Sequence, residues 1–412
     1  MVTTVAPVHE SNSQPGREWS VFKIQRNILL IFGCWPPDRS TRRWYVQAFI
    51  ALNLVTLAIC IVGELSYCID AYLNGSLIET IESIGPTVAR FAGFSRMCLI
   101  LKNERQIESV VNKMVTIIND AHRREKFTKR ERITKRITVW DQTLSKTVFF
   151  SSFTTAALYG LIPYVIMTRN WFRGQYPLVK LLPFKMMLPF DSQDTTLFVM
   201  TTVFLNYASA PTIAAFTGSD LLFSGLCLYL YGQFRAIRIE MEALSATLNN
   251  STLERSAHET NRINQELRNI NKRYQEIINL VSEVRIAFTP SILLVYISSA
   301  FMICIVCMAV LITEGINKLT YLPYTLTILM ILFVYSFGGM MVRESSEDLQ
   351  TVAYNFPWYR FDHNTRHLIQ MMMVRAKHGC NVDVPFFETS MATFSVIVRS
   401  AMSYITLMKS FL

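Results

Sequence analysis

From Ile286 to Ile312 the chain reads IAFTPSILLVYISSAFMICIVCMAVLI, without one charged side chain. At about 1.5 Å per residue such a run exceeds the ~30 Å hydrocarbon core of a bilayer, which needs about 20 apolar residues. Six further segments have the same character. The seven spans are approximately 45–72, 76–101, 139–167, 195–231, 282–312, 319–342 and 386–412. In lipid every backbone N–H and C=O must be satisfied within the protein, which makes each span a helix. The expected fold class is therefore all-α, a polytopic membrane protein with seven transmembrane helices.

The totals agree. Charged residues make up 17% of the 412 residues and apolar ones 51%. An ordinary soluble domain carries about 25% charged residues. The net charge of +10 would suit nucleic acid or a membrane surface. Its basic residues lie between the spans, so membrane lipid is the expected partner and nucleic acid is not. No secretory leader is expected, because 1–16 is polar and the first apolar run is too long for one.

Orientation follows from where Lys and Arg fall. With the N-terminus inside, the inner segments 1–44, 102–138, 232–281 and 343–385 hold 29 of them, and the outer segments 73–75, 168–194 and 313–318 hold 5. The N-terminus is thus expected in the cytoplasm and the C-terminus outside. The sequon Asn74-Gly75-Ser76 falls in the first outer turn, while two more overlap at Asn249 to Thr252 on the inner side. The inner segments 102–138 and 232–281 lack proline and are rich in helix formers, so the helices should continue into the cytoplasm as a charged sheath or an assembly domain. The outer segment 171–194 carries Pro177, Pro183 and Pro189 and should be a packed loop or lid.

Enzyme chemistry finds no support. The six histidines all lie in inner segments; His363 and His367 are one helical turn apart but lack the acid of a metalloprotease helix. The eight cysteines form no disulfide framework, and Cys304 and Cys307 read as packing within an apolar helix. No cofactor and no metal site is expected.

Charges inside the spans carry more weight, because lipid burial is costly. Glu64 in the first span and Arg90 in the second lie about one turn apart in depth. They form either an ion pair between neighbouring helices or the polar wall of a cavity; Arg96 lies deeper. Phe91, Thr155, Tyr159, Tyr207, Tyr321 and Tyr324 gather in the outer halves of spans two, three, four and six. An interfacial aromatic belt and an apolar pocket with polar handles both fit them. In the last span Ser400, Ser403 and Ser410 recur beside Leu407 and Phe411. Lipid-buried packing fits this pattern, and so does a pore that closes by dewetting. Ser403, Leu407, Ser410 and Phe411 are the candidate pore residues.

The C-terminal stretch Trp358-Tyr359, the run Met371 to Ala376 and the run Phe394 to Tyr404 resemble the insect odorant receptors, as does Gly33-Cys34-Trp35-Pro36-Pro37, which has a hymenopteran style. The resemblance implies a ligand-gated, non-selective cation channel of four subunits in the plasma membrane of olfactory sensory neuron dendrites. It implies a small volatile or lipophilic odorant as ligand, bound among spans two, three, four and six. It implies a shared odorant receptor co-receptor as partner, and a cytoplasmic anchor that includes a helix at about 357–377. The chain lacks the long inner-loop insertion of the co-receptor, which makes it a tuning subunit. Leu407 stands where the co-receptor pattern has a valine gate. One membrane domain, 1–412, would divide into a ligand-binding bundle at about 45–230 and an anchor and pore region at about 231–412.

Two other classes compete. A seven-helix G-protein-coupled receptor needs the N-terminus outside, an acidic-Arg-Tyr motif after span three and NPxxY in span seven. None of these is read here. A secondary transporter would want helices broken near mid-membrane, to which Pro211, Gly218 and Gly225 in span four are the nearest approach.

The basic-residue asymmetry predicts that a tag before Met1 is hidden from antibody in intact cells and a tag after Leu412 is exposed. An N-terminal tag stained without permeabilisation would overturn the orientation.

Overall fold

The structure, a computed structural model, describes residues 21–35, 44–124, 129–174, 179–250, 257–313 and 318–409. Ten α-helices account for nearly all of them: α1 (Lys23–Ile31), α2 (Trp44–Leu73), α3 (Leu77–Lys102), α4 (Glu104–Arg124), α5 (Lys129–Phe172), α6 (Thr195–Asn250), α7 (Ala257–Ile312), α8 (Lys318–Asn355), α9 (His363–Ala376) and α10 (Met391–Lys409). Among the described residues the only extended pairing is a bridge between Val384 and Phe387.

Helices α2, α5, α6, α7 and α8 are each long and apolar enough to cross a membrane, and α10 is a shorter apolar helix. Helix α3 carries Glu79, Glu82, Arg90 and Arg96 along its length. It is nevertheless the return stroke that brings the chain from the outer end of α2 to the inner helix α4. Each of these seven meets one of the expected spans. The sequon Asn249 to Thr252 and the pore candidates Ser410 and Phe411 extend beyond the described residues.

Helices α6 and α7 run 56 residues each, or about 84 Å at 1.5 Å per residue. That is nearly three times the hydrocarbon thickness, so both stand far out of the bilayer on the inner side. There α8 and α9 pack beside them, with Phe356 stacked on Phe361 and the Thr365 hydroxyl donating to Asn264 at 3.1 Å. Ion pairs Arg273–Glu240, Lys113–Glu283 and Arg238–Asp348 cross between neighbouring helices. The expected helix at 357–377 is a short 3₁₀ turn, Trp358–Arg360, followed by α9.

Helix α6 is the central post of the bundle: every residue of 221–230 is buried. Gly218 and Gly225 lie two turns apart on one face, and a Cβ on either would strike Leu29 at 2.5 Å or Phe22 at 3.0 Å. The missing side chains open a groove that admits α1. Gln25 of α1 anchors there, donating to Asp141 at 2.8 Å and Ser145 at 3.0 Å. These glycines therefore serve helix packing, and α6 continues unbroken past Pro211. That removes the feature which favoured a transporter.

Helix α10 lies at the edge of the bundle against α7 and α8, where Phe394 meets Phe333 and the preceding Phe387 stacks on Tyr296. Ser403 and Leu407 are on its exposed side, with Leu407 52% exposed.

Candidate functional site

The outer half of the bundle holds a partly open cavity of about 140 Å³. Its walls follow from helical periodicity. Helix α5 contributes Ser152, Thr155, Ala156 and Tyr159; α6 contributes Ser209, Thr212, Ile213 and Phe216; α8 contributes Tyr324, Thr327, Ile328 and Ile331. Each set is the i, i+3, i+4, i+7 stripe of one helix face. Helix α3 adds Pro86, Ala89 and Arg90, α7 adds Met302, and Phe184 comes down from the outer loop. The wall thus draws on α7 and α8 as well as on residues 45–230.

A second chamber of about 150 Å³ lies beside the first, lined by Glu64, Glu82, Tyr159, Pro163, Leu182, Phe184, Lys185 and Tyr321 among others. Tyr159 and Phe184 belong to both walls. Their rings stack nearly parallel, 8° apart with centroids 6.1 Å apart, and Tyr159 meets Tyr324 edge-on at 5.8 Å. These rings partition the two chambers. The outer loop is the packed lid that its prolines predict. Its Met187 N–H donates to the Gly63 carbonyl at 2.9 Å. Leu182, Phe184 and Met186 pack on a small cluster formed by Cys60, Leu205 and Ala208.

Two buried ion pairs hold α3 in place. Arg90 Nη2 lies 2.9 Å from Glu64 Oε1, so the expected pair is present, and Arg90 also forms part of the cavity wall. Its guanidinium carbon lies 4.9 Å from the Phe184 ring centroid. Deeper, Arg96 donates to Asp220 at 2.8 Å. Asp220 also accepts from Tyr335 at 2.8 Å, and Arg96 covers the Phe216 ring at 4.0 Å. Sequence reasoning noted Arg96 without naming its partner. An acid at position 220 of an otherwise apolar span was the available signal, since a lone charge there would be prohibitively desolvated.

Most polar groups on the cavity wall are already engaged. Thr327 joins Ser151 at 2.7 Å and Thr155 at 3.0 Å. Ser209 and Thr212 bond back to the Leu205 and Ala208 carbonyls. The Tyr324 hydroxyl donates to the Gly85 carbonyl at 3.2 Å. Arg90 Nε and Nη1 and the Ser152 hydroxyl are buried with no hydrogen-bond partner.

Four of the six expected ligand residues, Thr155, Tyr159, Tyr321 and Tyr324, line the two chambers. Phe91 and Tyr207 do not. Phe91 is 55% exposed and follows the inward-facing Arg90, so it sits ~100° round the helix. Tyr207 precedes Ser209 by two positions, close to the opposite face. It is 39% exposed, and its hydroxyl donates to Asn53 at 2.8 Å. Depth alone grouped these two with the others; helical phase separates them. Phe184, Phe216, Ser152 and Ile331 were missed, although the stripe pattern running from Thr155 and Tyr324 contains Ser152 and Ile331.

Residues 76–402 match the family model described as 7tm odorant receptor. Odorant receptor 22c of Drosophila melanogaster is 28% identical over 407 residues, covering 97% of this chain and 99% of that protein. Odorant receptor 10a of the same fly is 27% identical, covering 95% of each. The insect olfactory receptor OR5 of Machilis hrabei, solved in complex with eugenol, superposes with a TM-score of 0.76 at 15% identity. That match covers 95% of this chain and 98% of the other.

Removing a ring that touches an apolar ligand costs about 1–3 kcal/mol, roughly 5- to 150-fold in affinity. Tyr159→Ala should shift an agonist's dose–response by that order, whereas Phe91→Ala should leave it within about threefold. Dose–response curves at matched surface expression check this. Equal shifts in both variants would contradict the assigned helical phase.

Proposed function

The chain belongs to the 7tm odorant receptor family, and on that footing we propose that it is the tuning subunit of an odorant-gated, non-selective cation channel. The cavity carries this reading. It is apolar, roofed by an aromatic lid and placed in the outer half of a multi-pass helical bundle. Its volume is close to that of an engineered apolar cavity of ~150 Å³ that takes up benzene. The ligand is accordingly a small volatile or lipophilic odorant, bound by Thr155, Tyr159 and Tyr324 in one chamber, with Tyr321 at the other.

The conducting assembly is a tetramer with the odorant receptor co-receptor, in the plasma membrane of olfactory sensory neuron dendrites. The inner ends of α6, α7 and α8 together with α9 form the anchor between subunits. Helix α10 from each subunit lines the pore, with Ser403 on its polar stripe and Leu407 at its apolar constriction. The exposed face of α10 supports this, since Leu407 is 52% exposed in one subunit. Four such helices about one axis would close an apolar ring that water leaves and ions cannot cross. A G-protein-coupled mechanism has lost its basis, because the family match replaces the receptor class that motivated it.

Excised patches containing this chain and the co-receptor should pass agonist-evoked cation current in the absence of GTP. In the same patches Leu407→Ser should raise ligand-free current more than Met408→Ser, which lies about 100° round the helix. Agonist current that vanishes without GTP and returns with it would overturn the channel reading, and the reverse order of the two variants would overturn the gate.

A further inference from the structure

The hydrogen-bond inventory of the cavity is unbalanced. Every hydroxyl of Thr155, Thr212, Thr327, Ser209 and Tyr324 already has a partner. Arg90 and Ser152 are different. Arg90 is 3% exposed and meets Glu64 through Nη2 as an ion pair, and its Nε and Nη1, like both Glu64 carboxylate oxygens, have no hydrogen-bond partner. Ser152 is 8% exposed, and its hydroxyl has no partner either. Both side chains line the same chamber, one from α3 and one from α5. Glu64, the carboxylate that balances Arg90, lines the other chamber. Buried donors without acceptors are costly, and a ligand that supplies the acceptor recovers that cost on binding.

We infer that the chamber selects small odorants carrying one neutral carbonyl oxygen, with Arg90 as the principal donor to it and Ser152 as the second. This rests on the chamber being the odorant site. The Arg90 charge is already matched by Glu64, so a carboxylate ligand would bring an unbalanced negative charge into an apolar chamber, at the desolvation cost of a buried ion. A ketone, aldehyde or ester brings the acceptor without the charge. The chamber's volume limits the body of the ligand to about one six-membered ring or a chain of similar size. The selectivity is of the asymmetric kind: a site built to hydrogen-bond discriminates strongly against an isostere that lacks the oxygen.

Two isosteric pairs test this with the full chain and its co-receptor: cyclohexanone against methylenecyclohexane, and acetophenone against α-methylstyrene. In each pair only C=O and C=CH₂ are exchanged. A hydrogen bond to a charged donor is worth roughly 10- to 150-fold in affinity, so both ketones should be at least about tenfold more potent than their isosteres. Arg90 cannot be removed alone without stranding Glu64, so the Glu64→Gln/Arg90→Met double variant is used. It should bring the ratio of potencies within each pair to about threefold or less, whatever the absolute sensitivity of the variant. Ser152→Ala, which strands no charge, should narrow the preference by roughly 2- to 10-fold and decides the matter if the double variant fails to reach the surface. Equal potency within the pairs in the native chain overturns the inference. So does a preference that survives the double variant, a preference untouched by Ser152→Ala when that variant alone is expressed, or silence to all four compounds. Ala156→Trp, which fills the chamber, keeps the two readings apart. Responses to both members of a pair that persist in it refute the chamber as the odorant site, whereas their joint loss beside equal native potencies refutes only the role of the carbonyl.

Discussion

A charge inside a bilayer must be met by another charge, and this constraint fixes the helix on which the rest of the bundle depends. Helix α3 carries Arg90 and Arg96 within its crossing, and each has one carboxylate: Glu64 of α2 and Asp220 of α6. Desolvating such an ion costs several kcal/mol, and stranding one partner of a buried pair costs about 3–5 kcal/mol. The two pairs therefore fix both the depth and the rotation of α3 between α2 and α6. Once that rotation is set, Pro86, Ala89 and Arg90 face the chamber and Phe91 faces away.

The chamber inherits its chemistry from the same arrangement. Its hydroxyls are mostly spent on helix carbonyls and on one another, as they must be where no water supplies partners. What remains is an apolar volume with a few donors on one side. Beneath it, contacts run from the chamber wall into the bundle: Phe216 under Arg96, Arg96 to Asp220, and Asp220 to Tyr335 of α8. Tyr335 stacks in turn on Phe223. Helix α8 lines the chamber at one end and packs against α9 at the other, so one rigid element borders both the binding site and the cytoplasmic bundle.

The helices were legible because lipid imposes a length and a composition that no other environment demands, and orientation was legible because Lys and Arg avoid the outer side. The same rules exposed Glu64 with Arg90, since two opposite charges at matched depth have few other fates. Depth alone placed Thr155, Tyr159, Tyr321 and Tyr324 in the region of the chamber walls that they line. Phe91 and Tyr207 show where depth fails, because rotation about the helix axis decides what a residue faces, and a span that is apolar on all sides carries almost no amphipathic signal to set it. The long-range partners of α1 were not legible either. Gln25 finds Asp141 only because Gly218 and Gly225 open a groove on a helix nearly two hundred residues away. Phe184 was hidden for a related reason: its loop has no period, and its place comes from packing on Cys60, Leu205 and Ala208.

The central claim is that odorant binds in the chamber between α3, α5, α6, α7 and α8, beneath the partition made by Tyr159 and Phe184. The most direct measurement is a structure of the assembled receptor with a bromine-bearing acetophenone, in which the heavy atom marks the ligand. The account predicts its density within the chamber, with the ring against Ile213, Phe216 and Ile328 and the carbonyl on the side of Arg90 and Ser152. Density outside the bundle, or an empty chamber in a receptor that the compound activates, would contradict it.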